Sequence, residues 1–330
     1  MIKYSFIIPV YNRPDELHQL LSTFPIERTD EYEVIIVEDG SEVSCEPVTK
    51  EFEDLQLTYH FQTNTGPGPA RNTGASLAKG EWLVFLDSDT LISEGYFDAL
   101  ALLQELTKVV FFGGPDRNHA SFTPIQLAIG YSMTSFLSTG GIRGSKRSLE
   151  KFKPRSFNMG IKSEVFNAIG GFSQLRFGED VDLSLRMEEK DYKGTLLEGA
   201  IVYHKRRTSF RQFFKQVFNS GMARMVLSQL HPGSMKIVHL LPVFFVLYHA
   251  FFAIPAMLIP ALGFVLLVYP TLYFVVGLVE TKSFPVATLA TVAVYIQLFG
   301  YGLGFLKAAW TRFILRRDIS YAFRDTFYQG

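Results

Sequence analysis

In GEWLVFLDSD, residues 80–89, an unbroken apolar run, Trp82–Leu86, stands directly before two aspartates separated by one serine. Five apolar residues with no polar alternation predict a strand covered on both faces, as in a parallel sheet layered between helices. The same order recurs to either side. Tyr4–Val10 reads as a strand, followed by Pro14 at a first helical turn and by Leu17, Leu20 and Leu21 at helical spacing. Residues 33–38 and 58–62 read as further strands, residues 69–78 as a helix, and residues 93–106 as a helix capped by Ser93. Alternating strands and helices predict an α/β fold with a doubly wound, mostly parallel sheet.

Ligands of such sheets sit at the carboxyl ends of the strands, which selects the residues to inspect. Val10 is followed by Tyr11, Asn12 and Arg13; Val37 by Glu38, Asp39, Gly40 and Ser41; Leu86 by Asp87, Ser88, Asp89 and Thr90. Acids gathered at neighbouring strand ends are costly without a cation or donors to offset them. Asp87 and Asp89, flanking Ser88, can share a hard divalent ion that keeps sites open for phosphate oxygens. Asp39 can accept from a ribose or a base edge, or simply serve a turn with Gly40 and Ser41. The small-residue stretch at residues 64–74, with Arg71, can bring backbone and a guanidinium to a diphosphate. No GxGxxG follows the first strand, so a nicotinamide cofactor has no support.

The 330 residues carry 32 cationic and 32 acidic side chains, but unevenly. Only nine of them lie after Lys236, and the first 236 residues are about 23% charged, an ordinary soluble composition. That front part has net charge −3 and the rear +3, so nucleic acid is not indicated as a partner. Cys45 is the only cysteine, which excludes an internal disulfide.

Residues 238–279 and 283–306 contain no Asp, Glu, Lys or Arg, and each run exceeds the roughly 20 residues that span a bilayer. The first run divides into two helices near Pro255 and Pro260, or forms one span with a shallow segment, so two or three spans are expected. Lys205, Arg206, Arg207, Arg211 and Lys215 before the runs, and Lys307, Arg312, Arg316, Arg317 and Arg324 after them, all favour the cytoplasmic side. That asks for an even number of crossings. Phe210, Phe213, Phe214, Val217, Phe218, Gly221 and Met225 form an apolar stripe, expected to lie on a membrane interface. Residues 1–207 are thus expected as a cytoplasmic catalytic domain, 208–236 as an amphipathic interfacial segment, 237–311 as a transmembrane region and 312–330 as a basic cytoplasmic tail. This places a multi-pass protein in the cell (inner) membrane. Arg117, Arg143, Lys146, Arg147 and Lys151 form either a loop for acceptor or lipid phosphate, or a solvated basic stretch.

Five ordered stretches, SFIIPVYN (5–12), VIIVEDGS (34–41), NTGPGPARNTG (64–74), GEWLVFLDSD (80–89) and GEDVDLSLR (178–186), resemble family 2 glycosyltransferases over roughly residues 4–207. The resemblance implies a GT-A fold, a nucleotide diphosphate sugar donor, Mn2+ or Mg2+ as cofactor, and inversion at the anomeric carbon. It implies that Pro9, Tyr11, Asn12 and Asp39 hold the nucleoside, that Arg71, Asp87 and Ser88 meet the donor, and that Asp87 and Asp89 form a DxD metal site. Asp89 is then the direct ligand, and His204 stands where a third ligand would.

Inverting transfer in one displacement needs a base facing away from the leaving diphosphate, because a sugar hydroxyl is hardly ionised at neutral pH. The family pattern assigns Asp180, with Glu179 as fallback, while Asp182 reads as a helix N-terminal acid. A base favours a hydroxyl of a lipid-linked or growing glycan as acceptor, in cell-surface polysaccharide synthesis. A polyprenyl phosphate acceptor, already ionised, is the alternative. No QxxRW follows Gln216, which argues for adding one or a few sugars. FLDSDT (85–90) also matches the DxDxT pattern of haloacid dehalogenase phosphatases, but that reading leaves residues 34–41 unexplained.

Overall fold

A computed structural model describes residues 2–139 and 153–319. Arg143, Lys146, Arg147, Lys151 and Arg324 lie outside the described residues. The chain divides into two units, one holding residues up to 117 with 153–204, the other 118–139 with 205–319.

The first unit is built on a seven-stranded sheet. Its strands are β1 (Tyr4–Val10), β2 (Tyr32–Asp39), β3 (Leu57–Gln62), β4 (Trp82–Leu86), β6 (Phe111–Gly113), β8 (Asn158–Lys162) and β9 (Gly194–Leu196); β5 (Thr90–Ile92), β7 (Asp116–Arg117) and β10 (Val202–His204) form a small second sheet. The large sheet runs in the order β3-β2-β1-β4-β8-β6-β9, parallel from β3 to β4, with β8 antiparallel to both neighbours. The apolar runs are buried on both faces, as expected. Phe6, Ile8, Val34, Ile36, Val84 and Leu86 enter one core, and Ile7, Ile35, Val37, Leu83 and Phe85 the other. Strand order reverses between β1 and β4, which opens a crevice at their carboxyl ends.

Two helices of this unit differ from their expected bounds. The helix expected over residues 69–78 begins two residues earlier, at Pro67–Leu77, because Pro67 suits a first turn after the left-handed Gly66. Within it Gly74 lies so close to β1 that a Cβ would come within 2.5 Å of the Ile7 side chain. The helix expected over 93–106 shrinks to Tyr96–Ala101 plus a 3-10 turn, Leu102–Gln104. Ser93 is no cap: its N–H donates to the Ile201 carbonyl and prolongs the pairing of β5 with β10.

In the second unit the charge-free stretch breaks where its prolines sit, giving helices Leu241–Ala256 and Gly263–Thr281, followed by Phe284–Phe313. By length and composition, Pro260–Thr281 and Phe284–Phe313 could each cross a membrane, while Ile237–Ala253 is shorter. Helix Phe210–Leu230 exists as expected, but much of its stripe faces protein. Phe213 and Val217 are buried with Ala293, Ile129 and Met133, and Phe214 stays exposed. Close approach explains this. A Cβ on Gly304 would lie 2.0 Å from the Phe218 carbonyl, and one on Gly221 2.1 Å from that of Tyr301. Gly304→Leu should therefore lower the thermal midpoint of the purified protein, at a cost of about 3 kcal/mol, because backbone cannot yield as a side chain does. An unchanged midpoint would refute this packing.

Candidate active site

Asp87 closes β4 and begins a tight turn: its carbonyl accepts from the Thr90 N–H at 3.1 Å and the Thr90 hydroxyl at 2.7 Å. The turn starts β5, and β10 pairs antiparallel to β5 with His204 opposite Thr90. That register carries the imidazole from a residue 115 positions away in sequence to Asp89, Nε2 lying 3.1 Å from Oδ1. The ring packs on Phe157, centroids 4.6 Å apart, which limits its orientation. One donor atom each from Asp87, Asp89 and His204 fits within a 4.8 Å span. Two carboxylate oxygens and one imidazole nitrogen suit Mn2+ or another divalent ion that accepts mixed oxygen and nitrogen ligands.

Cations hold these acids in place. Arg13, just past β1, donates to Asp89 Oδ2. Burial alone would raise the Asp89 carboxyl, but His204 and Arg13 overcome it and keep the group ionised well below the usual carboxylate range. Arg71 is buried on helix Pro67–Leu77, with Nη2 2.6 Å from Asp87 Oδ1 and Nη1 3.0 Å from Glu179 Oε1. Its guanidinium also lies 5.4 Å from the Phe172 ring centroid. Arg71, expected to meet the donor, bridges the carboxyl groups of Asp87 and Glu179 in the structure.

Helix Glu179–Glu189 starts after Gly178, which takes a left-handed conformation, φ 83°. Asp182, in the first turn, is bound by Arg186 at 3.0 and 2.9 Å. Asp180 accepts from the Val181 N–H at 2.7 Å and lies 3.6 Å from Arg155. Glu179 is buried. Loss of hydration and then the Asp180 charge push its carboxyl up to about 8, against the pull of Arg71. A carboxyl raised in the folded state favours folding fully below its unfolded value, and that contribution is lost as pH rises through about 8. Metal-free protein should accordingly lose thermal stability between pH 5 and 9 more steeply than Glu179→Gln. Parallel curves would remove the assignment.

The nucleoside candidates are distributed along the strand ends. Asp39 is buried at the end of β2, and its carboxylate accepts from Gln62 Nε2 and Gly66 N–H at 2.8 Å each and from Thr65 N–H at 2.9 Å. It orders the loop after β3 rather than standing open. Asn12, with φ 54°, ties the end of β1 to that of β2: its Oδ1 accepts from Glu42 and Val43 N–H groups, and its own N–H donates to Ser41 Oγ. Tyr11 is exposed, Pro9 half-buried and Ser88 buried. Arg13 is the residue that inspection for acids passes over; its only signal is a cation three positions beyond the first strand.

Acids and cations gathered at the switch point of a mostly parallel sheet suit the binding of a charged ligand at the strand ends, as the GT-A resemblance implies. The family model for glycosyl transferase family 2 matches residues 5–178, and the chain belongs to that family. An uncharacterised glycosyltransferase of Haemophilus influenzae is 30% identical over 222 residues, which cover 62% of this chain and 70% of that protein. The poly(ribitol-phosphate) beta-glucosyltransferase of Bacillus spizizenii is 34% identical over 98 residues, 28% of this chain but only 15% of that protein. Among solved structures, the mannosyltransferase PcManGT from Pyrobaculum calidifontis, in complex with GDP-Man and Mn2+, shares the fold. Its TM-score is 0.55 at 18% identity, covering 93% of this chain and 87% of that one.

Proposed function

We propose that this glycosyltransferase is a metal-dependent, inverting hexosyltransferase. It moves a sugar from a nucleotide diphosphate donor to a hydroxyl of a lipid-linked or growing glycan, at the cytoplasmic face of a cell membrane. The observation that carries the reading is the meeting of Asp87, Asp89 and His204 at the β1/β4 crevice, joined through Arg71 to Glu179, the first residue of helix Glu179–Glu189. The GDP-Man and Mn2+ held by PcManGT, and the polymer acceptor named for the B. spizizenii enzyme, support it.

Asp87, Asp89 and His204 would hold a divalent ion, Mn2+ or Mg2+, which when bound neutralises charge on a departing nucleoside diphosphate. Arg13 keeps Asp89 ionised and oriented for that duty. Pro9, Tyr11, Asn12 and Asp39 shape the nucleoside side of the crevice, with Asp39 acting through the loop it orders. Asp180 takes the acceptor hydroxyl proton as oxygen attacks the anomeric carbon. It is preferred over Glu179 because it is the more open of the two and carries no bond to Arg71. Arg71 positions Asp87 and Glu179 without touching the reacting atoms.

Thermal shift against a panel of nucleotide sugars, with and without Mn2+, tests the donor half of the proposal; no stabilisation by any of them would reject it. Stability of the product to mild acid tests the acceptor half. A labile phosphodiester would transfer the assignment to a polyprenyl phosphate acceptor.

A further inference from the structure

We infer that Arg155 is a catalytic residue: its guanidinium and the Asp180 carboxylate hold the attacking hydroxyl oxygen between them, the arginine donating to that oxygen while the aspartate takes its proton. This rests on Asp180 as the base proposed above, and adds a residue that no motif of the sequence singles out.

The chain delivers Arg155 to Asp180 along one face of helix Glu179–Glu189. Lys153 Nζ lies 2.8 Å from Glu188 Oε2, the Ser184 hydroxyl donates to the Pro154 carbonyl at 3.4 Å, and Arg155 Nη1 stands 3.6 Å from Asp180 Oδ2. Positions 180, 184 and 188 share a helix face, so three consecutive residues strap onto it in turn. A tight turn follows, closed by the Asn158 N–H donating to the Arg155 carbonyl at 2.9 Å. Asn158 is wholly buried: its Oδ1 accepts from the Tyr96 hydroxyl at 2.7 Å, and its Nδ2 donates to the Ala200 carbonyl at 2.8 Å. In the register of β8 on β4 it lies opposite Leu86, the residue before Asp87. Within the same turn Phe157 packs on the His204 ring. One buried turn thus carries both the support of a metal-site histidine and the cation beside the base.

The length of the Arg155–Asp180 pair is what points to a substrate. Every other arginine–carboxylate pair among the described residues closes to 3.0 Å or less. At 3.6 Å this one is no hydrogen bond, and a polar gap of that width is where a bridging oxygen belongs. An oxygen about 2.8 Å from each partner fits there. Asp180 Oδ1 is already taken by the Val181 N–H, so Oδ2 is the atom left for a proton. The two side chains remain 28% and 14% exposed, open to a ligand where Arg71 and Glu179 are closed off.

The chemistry of the gap matches the transfer. The hydroxyl oxygen bonds to the anomeric carbon as the bond from that carbon to the diphosphate oxygen breaks; the proton passes to Asp180 Oδ2, and the electron pair leaves with the diphosphate. Arg155 keeps its protons throughout. Its N–H stabilises the negative charge that gathers on the oxygen as the proton departs, and orients the remaining lone pair toward the carbon.

Water fits the same gap, so hydrolysis of the donor tests the arrangement without a known acceptor. The assay is release of nucleoside diphosphate by the purified full-length chain, with Mn2+ and the nucleotide sugar that stabilises it most. Arg155→Ala should slow release by on the order of a hundredfold, the cost of one lost donor to a developing oxyanion. Arg155→Lys, which keeps the charge without the planar fork, should fall between the two. Donor affinity should match the parent's in both. Millimolar guanidinium, far below denaturing levels, should restore part of the Arg155→Ala rate along a saturating curve and leave Asp180→Asn unmoved; an arginine that only braces the helix gives no such rescue. Parent-like release by Arg155→Ala, a loss of donor affinity in step with rate, or a loss that guanidinium does not restore would each overturn the inference. Should the alanine variant fail to fold, Arg155→Lys decides: slower release at unchanged donor affinity supports the role, and parent-like release ends it. An inactive Asp180→Asn beside a parent-like Arg155→Ala removes this inference alone, whereas an active Asp180→Asn removes the base and the inference with it.

Discussion

Asp180→Asn should lower glycosyl transfer by a hundred- to ten-thousand-fold, the usual contribution of a general base, while donor affinity changes by about twofold or less. Asparagine keeps the shape of the side chain and can still contact the Val181 N–H that Asp180 holds at 2.7 Å, so helix Glu179–Glu189 should start unaltered. What it cannot do is take a proton. The measurement is a turnover assay on purified protein beside a titration of the nucleotide sugar. Loss of donor binding in step with turnover would make Asp180 a structural acid. Near-normal turnover, with loss in Glu179→Gln instead, would move the proton transfer one residue back. The two outcomes are separable because Glu179 is tied to Arg71 at 3.0 Å and Asp180 is not.

The second large effect is expected at Asp89. Asp89→Ala should weaken nucleoside diphosphate binding in Mn2+ by on the order of a hundredfold, the upper end of what even outer-sphere partners of a metal contribute. In chelator the variant and the parent should bind alike. That contrast is the decisive readout, because a general loss of structure would lower both curves. Asp89 also neutralises Arg13 and faces His204, so the variant's thermal midpoint should be compared with that of Asp89→Asn, which retains hydrogen bonding without the full charge. If Asp89→Ala keeps the Mn2+-dependent gain in affinity, the three-residue site is wrong.

The sequence was informative wherever burial repeats along it. β1, β2 and β4 were legible because a strand covered on both faces must be apolar throughout, and the aspartates were legible because they interrupt that rule at a strand end. His204 was legible as a candidate only through the family pattern; what brings it to Asp89 is the antiparallel register of β10 on β5, which no local spacing announces. Arg13 was passed over because one arginine after a strand resembles any surface cation until its partner is known. Arg71 was read as a ligand for phosphate because a guanidinium in a small-residue stretch suits one. What no local spacing announces is its bond to Glu179, 108 residues away. The stripe on helix Phe210–Leu230 was assigned to lipid for a similar reason: periodicity reports that a face is covered, not by what.

The interleaving of the two units has a practical side. Residues 118–139 leave the catalytic sheet to join the apolar body, and their Ala128, Ile129 and Met133 are sealed there by helices from beyond residue 205. Shortening the polypeptide at residue 207 would not release a tidy soluble enzyme. It would strip that inserted helix of its cover and invite aggregation. Exchange of the catalytic portion between relatives would likewise have to carry the insertion and its partners together, so the two units are inherited as one piece.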